Sequence, residues 1–516
     1  MISSRALPPI ASLLFLVVAA VPARPQATLP PDFQDEVIVG ALSTPTGLAF
    51  LPDGRCFVTE QLTARIRLIV NGALSTTDPV CVVPNVRNNN FFRGLLGIAV
   101  DPRWPGSPYV YVHYAANPGK VLLSRFTAAG DLGFTGSGAL TIDPATRYDL
   151  INGLTDANHN GGTLRFGPDQ MLYASVGDSF TVPCAAQRIG SMRGVIWRLE
   201  IRNLPAGSGG PPAKSLLTPP DNPFVSDSDP NARLIWARGL RHPFRFHVDH
   251  PTGDVFIADV GEDTWEEVSR VGVPGANFGW PLFEGPDAYT TCPGASGGGL
   301  TAPIHSYGGG AQRCIIGGGV YRRPTSGSSR FPFEYEGDYF FSDYYSGALR
   351  RLEGSGQSWA LASPMPGQPS STDWGTGLAE VSDYLVAADG SLWYCRQGIG
   401  GASNTGEIRR IAYTGVTGVE SPPSTTLILE APHPSPGVGQ VTLHYRLPAL
   451  VRIDLKIYDV AGRLVRTLVA GIELPAGTHT ATWDGRSDAG ELRAGMFFAR
   501  LRTDLETRVR PLVLLR

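Results

Sequence analysis

Hydrophobic and polar positions alternate with a period of two in short runs, and each run ends in a turn built from Pro, Asp or Gly, so the chain reads as paired strands rather than helices. The clearest pairs lie at Gly47–Val58, Leu164–Tyr173, Phe246–Ile257 and Leu385–Tyr394, each an apolar strand, a tight turn and a second strand rich in aromatic and β-branched residues. Their turn chemistry makes them hairpins. Weaker copies at Leu96–Val112 and Gly317–Phe341 bring the number to six, spaced roughly 50 to 80 residues apart, which is a long-period repeat. One antiparallel sheet per repeat, arranged radially, predicts an all-β fold, a six-bladed β-propeller over residues 30–414. Radial closure leaves no open strand edge and gathers one set of loops around a central funnel. Two stacked sandwiches would use the same hairpins and are the competing arrangement.

Beyond Tyr413 the pattern changes. Ser421-Pro-Pro-Ser-Thr425 marks a linker, placed at 415–428, and residues 429–516 have the length of a small separate domain. Strict alternation puts Ile453, Leu455 and Ile457 on one face, and Gly477–Gly485 reads as a strand running into a turn, which predicts a small immunoglobulin-like β-sandwich. At the other end, Arg5, an apolar run from Ile10 to Val21 and the small-residue exit Val21-Pro22-Ala23 have the layout of a cleavable export signal. Residues 1–23 are therefore expected to be removed and the mature chain to begin near Arg24, in a secreted, periplasmic or cell-surface setting. The run is too short to cross a bilayer and no later one is longer, so no transmembrane segment is expected.

Composition narrows the function classes. The 516 residues carry 43 Lys and Arg against 46 Asp and Glu, a net charge of −3, which lacks the concentrated positive field a nucleic-acid binder needs. The 62 Gly and 44 Pro exclude a long coiled coil, while 9 Trp, 17 Tyr and 22 Phe supply a large core. Six cysteines in an exported chain favour disulfides, with Cys56–Cys81 and Cys292–Cys314 expected as the most local of 15 possible pairings. No Cys-x-x-Cys spacing supports a zinc ribbon.

Candidate chemistry concentrates around one hairpin. His159 stands just before the Leu164–Tyr173 hairpin and Asp178 just after it, and because a hairpin returns on itself both reach the same rim of the sheet. A carboxylate on one ring nitrogen fixes the imidazole tautomer and raises the basicity of the other, so His159 is the candidate base and Asp178 its orienter. Asn158, Asn160, Gly161 and Gly162 are expected to keep the approach polar and sterically open. The acidic run Asp259, Glu262, Asp263, Glu266 and Glu267 offers hard oxygen ligands for Ca²⁺, with Asp259, Glu262 and Asp263 as the metal set. Read as a charge run alone, it is a solvated acidic loop. Trp280 is a candidate sugar platform lining the funnel, and core packing is its other reading.

These stretches resemble a known family. Pro45–Phe50, Gly94–Pro102, His159–Asp178, Asp221–Phe224, Gly239–Arg245, Asp259–Glu267 and Asn277–Pro281 are similar to the soluble pyrroloquinoline quinone-dependent sugar dehydrogenases of the glucose/sorbosone dehydrogenase group, and equally to hedgehog-interacting-protein-like propellers, over about residues 40–412. The resemblance implies an oxidoreductase that passes hydride from the anomeric carbon of an aldose to the quinone, forming the lactone, with a separate electron acceptor and with Ca²⁺ bridging the cofactor. On it, His159 takes the anomeric proton, Asp178 supports His159, and Arg241, with His242, Asn158 and Trp280 around it, holds the quinone. Residues from about Ala431 onward, with Ile457–Arg463, Trp483–Gly485, Ala494–Phe498 and Pro511–Arg516, resemble immunoglobulin-like modules of the flagellar hook-capping type and type IX secretion sorting domains, which implies a partner in the secretion machinery.

The chain also departs from the dehydrogenase pattern. His242 stands where the family has Asn, Phe244 where it has Gln, Phe92 where it has another cofactor-binding Gln, and no counterpart of a cofactor-binding lysine is found, although Arg322, Arg323, Arg350 and Arg351 could supply charge. Those departures favour a second class, a non-catalytic binding propeller at the cell surface. Calcium-dependent lactone hydrolysis on a similar propeller is a third, with no motif match.

Overall fold

The computed structural model describes residues 26–156, 158–295, 299–308, 312–415 and most of 427–515. The expected export signal at 1–23 and most of the expected linker at 415–428 fall outside the described residues. The chain divides into two compact units, residues 1–414 and 415–516.

In the first unit each hairpin anticipated from turn chemistry opens an antiparallel sheet. The pairs are Pro45–Phe50 with Cys56–Glu60, Leu95–Val100 with Tyr109–Ala116, Leu164–Phe166 with Leu172–Val176, Pro243–Val248 with Val255–Asp259, Ile315–Val320 with Tyr339–Asp343, and Val381–Val386 with Leu392–Arg396. The Pro-Asp-Gly turn accounts for the first of them: Gly54, at φ 90°, lets its N–H reach Leu51 O at 3.0 Å while Leu51 N–H reaches Arg55 O at 2.8 Å. At least two further strands complete every sheet. The opening strand of each sheet lies against that of the next, and Val381–Val386 lies against Pro45–Phe50, so the sheets close into a ring. This is the expected β-propeller. Its two chain ends are joined without a covalent bond, because Phe33–Leu42 pairs antiparallel with Gly406–Tyr413 inside one sheet.

Apolar clusters fill the wedges between neighbouring sheets, with Phe57 and Val112 in one, Tyr111 and Trp197 in the next, and Phe331 and Trp374 in another. Near the axis, side chains give way to glycine. A Cβ on Gly97 would stand 1.8 Å from Gly162 O, so two inner strands approach as closely as they do only because residue 97 has none. Arg245 fastens the centre: its guanidinium donates to Thr46 O at 2.6 Å, to Phe244 O at 3.0 Å and to Ser382 O, carbonyls on three different inner strands. Asp383 closes the set by accepting Leu48 N–H at 3.0 Å and Arg165 at 2.6 Å.

Both expected cysteine pairings are corrected. The disulfide joins Cys184 to Cys292, and Cys56, Cys81, Cys314 and Cys395 are free. Strand parity forbids the first expected bond: Cys56 stands opposite Ile69 and Cys81 opposite Ile66, and positions three apart on one strand face opposite sides of the sheet. The two thiols accordingly enter different clusters. Cys292 is committed to Cys184, and Cys314 sits half-buried with its N–H on Asp343 Oδ2 at 3.2 Å.

The second unit stacks a sheet ordered 428–429, 441–447, 477–483 on one ordered 437–438, 507–515, 495–503, 451–459, 464–474. Ile453, Leu455 and Ile457 are buried together with Leu443, Trp483 and Phe497, as the alternation anticipates for a sandwich.

Candidate active site

His159 leads into the strand Leu164–Phe166, and Asp178 follows its partner Leu172–Val176. The hairpin does bring them together: His159 Nδ1 lies 2.7 Å from Asp178 Oδ1. Both are buried, at 4% and 1% exposure. Gly177 makes room for the approach, since a Cβ there would meet His159 Cβ at 2.7 Å and Arg241 O at 2.9 Å. The glycines after His159 have a different role from the one expected. Gly161 and Gly162 adopt φ of 67° and 138°, and a Cβ on either would collide with Ser175 O or Leu96 Cβ, so they route the backbone between two strands rather than open the approach.

Asp178 is fully engaged. Oδ1 also accepts Phe180 N–H at 2.7 Å, and Oδ2 accepts Trp280 Nε1–H at 2.8 Å. Burial alone would raise its pKa, but the hydrogen bonds and charge of His159, with the Phe180 and Trp280 donors, outweigh burial and hold the carboxyl below its ordinary value. An ionised Asp178 can only accept, so Nδ1 of His159 carries the hydrogen and the Nε2 lone pair is left available. Trp280 is thus a buried donor to the orienting carboxylate rather than an open platform. Its ring stacks on Tyr289 at 5.0 Å, and the disulfide ties the loop after Phe180 to the loop after Tyr289.

Aromatic rings surround the imidazole. His242 stacks on His159 at 4.7 Å and 12°, and burial, followed by the charges of His159, Arg241 and Arg245, holds the pKa of His242 well below the ordinary value, so that ring is neutral. Phe180 stands edge-on at 5.3 Å and Phe92 tilted at 6.4 Å, and both are nearly half exposed, flanking the way to His159. The Phe92 loop is pinned from beneath. Asn160 Nδ2 donates to Phe92 O at 2.8 Å and to Asp156 Oδ1 at 2.9 Å, while Asp156 Oδ2 takes Arg87 and Arg93, each at 2.6 Å. Asn158 directly precedes His159 and is half-buried.

The expected metal and cofactor residues separate into distinct roles. Asp259 accepts the backbone N–H groups of Arg241 and His242 at 2.9 and 2.7 Å, which fixes the backbone from which the His242 ring stacks on His159. Burial pushes its carboxyl up to about 7 despite those donors. Glu262 pairs with Arg241, whose Nε donates to it at 2.8 Å, and Asp263 is exposed. Asp259, Glu262 and Asp263 therefore do not converge, and no group of three or more ligating side chains among the described residues is arranged to hold a metal ion. Glu284 organises this loop, its Oε1 accepting the N–H groups of residues 262 to 265 at 2.7 to 3.3 Å. Glu266 and Glu267 behind it are pushed up to about 8, chiefly by burial.

Two cations could serve a bound quinone. Arg241 spends three of its five N–H groups, on Glu262 and on Val260 O, and keeps two. Arg193 has a buried Nη1 with no hydrogen-bond partner, while Nη2 donates to Thr155 O, and the charges of Asp178 and Asp156 act on it. Spare guanidinium donors of this kind fit quinone and carboxylate oxygens. Arg193, Phe180, Glu284 and the true role of Trp280 escape sequence reasoning. Only Phe180, two residues past Asp178, carries a local signal.

Comparison with known proteins adds family context. Residues 42–363 match the family model described as Glucose / Sorbosone dehydrogenase. The HIPL2 protein of Arabidopsis thaliana is 32% identical over 252 residues, covering 45% of this chain and 34% of that protein. Quinoprotein glucose dehydrogenase B of Acinetobacter calcoaceticus is 26% identical over 283 residues, covering 49% of this chain and 53% of that one. The match thus spans about a third to a half of the length of these two relatives. Among solved structures, a putative oxidoreductase (glucose dehydrogenase) from Thermus thermophilus superposes with a TM-score of 0.56 at 25% identity, covering 73% of this chain and 99% of that one. The PQQ-bound aldose sugar dehydrogenase of Streptomyces coelicolor, at 22% identity and a TM-score of 0.52 over 74% of this chain and 99% of that one, shares the fold.

Proposed function

The chain belongs to the glucose/sorbosone dehydrogenase family, and from that premise we propose that it is an exported sugar oxidoreductase that converts an aldose, at its anomeric carbon, to the lactone. The observation that carries the proposal is the 2.7 Å contact of His159 Nδ1 with an Asp178 held ionised, because it leaves Nε2 available as a base, with the half-exposed rings of Phe92 and Phe180 beside the imidazole. In this reading Nε2 takes the proton of the anomeric hydroxyl, and Asp178 stabilises the imidazolium that forms. Trp280 and the Phe180 N–H keep Asp178 from turning away. Neutral His242, stacked on His159, holds the ring plane without competing for the proton. The two exposed phenylalanines exclude water from the flanks of the bound sugar.

Arg241 and Arg193 are the residues that would hold pyrroloquinoline quinone, which when bound supplies an ortho-quinone that accepts hydride. Ca²⁺ enters this reading from the family alone, because Asp259, Glu262 and Asp263 do not converge and burial favours the neutral forms of Glu266 and Glu267. An external electron acceptor would reoxidise the cofactor, and residues 429–516 would serve export through a type IX-like route.

The test is reconstitution of the purified chain with pyrroloquinoline quinone and Ca²⁺, followed by dye reduction with a panel of aldoses. Turnover should appear, and His159→Gln should lower kcat by about 10² to 10⁴-fold, the usual worth of a positioned base. Failure of the quinone to bind at tens of micromolar refutes the proposal. It would favour the second reading, a cell-surface binding propeller, which draws support from the higher identity to HIPL2 than to the glucose dehydrogenase and from Phe92, His242 and Phe244 around His159.

A further inference from the structure

Away from the His159 site, a cavity of about 220 Å³ opens between the strand Leu140–Thr155 and the segment 209–214. Leu150, Leu154, Met192 and Pro212 give it apolar walls, and Lys214 and Asn231 supply its polar end. Lys214 is unusual in this chain, which contains only three lysines, Lys120, Lys214 and Lys456, among 43 basic residues. Lys120 is exposed and Lys456 pairs with Asp454 at 2.9 Å. Lys214 is half-buried, and its ammonium meets only neutral atoms: Asn231 Oδ1, and Met192 Sδ at 3.5 Å. No carboxylate among the described residues forms an ion pair with it.

A cation drawn out of water without a counter-ion is costly, and an anion that enters beside it removes that cost. Walls of Leu, Met and Pro reward an alkyl group and penalise a hydrated inorganic ion. We propose that this cavity binds a small carboxylate with a short alkyl tail, its charge on Lys214 Nζ and its tail against Leu150, Leu154 and Met192. Burial lowers the pKa of Lys214, with Asp229 opposing the shift, as expected for an ammonium short of counter-charge. The site is independent of the quinone and of the proposed reaction.

Reductive methylation with ¹³C-formaldehyde labels the three lysines of the full-length protein and preserves their charge, so each gives its own NMR signal. Titration with butyrate should shift the Lys214 signal saturably in the millimolar range and leave those of Lys120 and Lys456 in place. Butyramide, the same shape without the charge, should produce no saturable shift. On unlabelled protein, saturation-transfer contact to the butyrate methyl protons should be seen and should be lost in Lys214→Met, whose side chain keeps the length without the charge. No saturable shift up to about 50 mM butyrate, equal shifts at all three lysines, or an equal response to butyramide would each overturn the proposal. The wild-type titration decides even if the variant fails to fold.

Discussion

Replacing Asp178 by asparagine changes almost nothing in shape and one thing in chemistry, the number of acceptors. The carboxylate accepts three hydrogen bonds, from His159 Nδ1 at 2.7 Å, Phe180 N–H at 2.7 Å and Trp280 Nε1–H at 2.8 Å. An amide presents one oxygen and one NH₂. With its oxygen toward His159, the NH₂ faces the Trp280 N–H, donor against donor, inside a buried site. With the oxygen toward Trp280, the NH₂ faces Phe180 N–H and His159 Nδ1, and the imidazole must move its hydrogen to Nε2, which removes the base. Either arrangement leaves a buried donor unpaired, at about 1–3 kcal/mol, and the imidazolium loses a charged hydrogen-bond partner worth about 1.5–3 kcal/mol. Together these come to about 2.5–6 kcal/mol, or a fall in kcat of about 10² to 10⁴-fold at ~1.4 kcal/mol per decade. Dye-linked kcat of the reconstituted protein measures the loss, and ¹⁵N NMR of His159 reports which ring nitrogen carries hydrogen. An Asp178→Asn protein with kcat within about threefold of wild type and the Nδ1–H tautomer retained would refute the role given to this carboxylate.

Other expectations follow from the same geometry. Trp280→Phe keeps the ring and deletes one donor to Asp178; kcat should fall about tenfold, KM should stay within about twofold, and the low-pH limb of the rate profile should move, whereas a merely structural role would leave that limb in place. Without reduction, alkylation of the denatured protein should modify four of the six cysteines and recover Cys184 and Cys292 in one cross-linked peptide pair. His113 is fully buried with both ring nitrogens unpartnered, and burial, with a contribution from Arg245, holds its pKa down at about 3. Because the folded state depresses the pKa of this base, its contribution to stability is complete above about 6.5 and is lost as pH falls toward 3, the loss reaching about 2 kcal/mol by pH 5. Urea midpoints between pH 7.5 and 5 should record that loss, and His113→Leu should flatten the slope.

The correct and incorrect expectations divide by distance along the chain. Hairpins and the His159–Asp178 contact depend on fewer than about 30 residues each, and Asp178 returns to His159 because a tight turn leaves it no other course. The Ile453, Leu455 and Ile457 face likewise follows from strand alternation. Trp280 reads from the sequence as a platform in the funnel wall or as core packing; it is buried, and its hydrogen-bond partner lies 102 residues away, which no local pattern encodes. The acidic run reads from the sequence as a calcium site or as a solvated loop, but strand direction sends Asp259 to the backbone of Arg241 and His242 while the turn delivers Glu262 to a guanidinium.

Cysteine spacing misleads for the same reason. Cys56 and Cys81 are near in sequence and lie on strands that flank the same neighbour, but sheet parity turns them to opposite faces, while Cys184 and Cys292, 108 residues apart, meet because two neighbouring loops converge. By itself, then, the sequence determined the strand periods, the turns that pair them and the histidine with its carboxylate, all set by steric and hydrogen-bonding rules that act over short stretches of chain, whereas radial closure was decided by contacts between strands far apart in sequence. Only the tertiary structure decided which oxygens remain free, which cations keep unspent donors and which side chains surround the imidazole, since those depend on how separate sheets pack and on which buried polar groups must satisfy one another first.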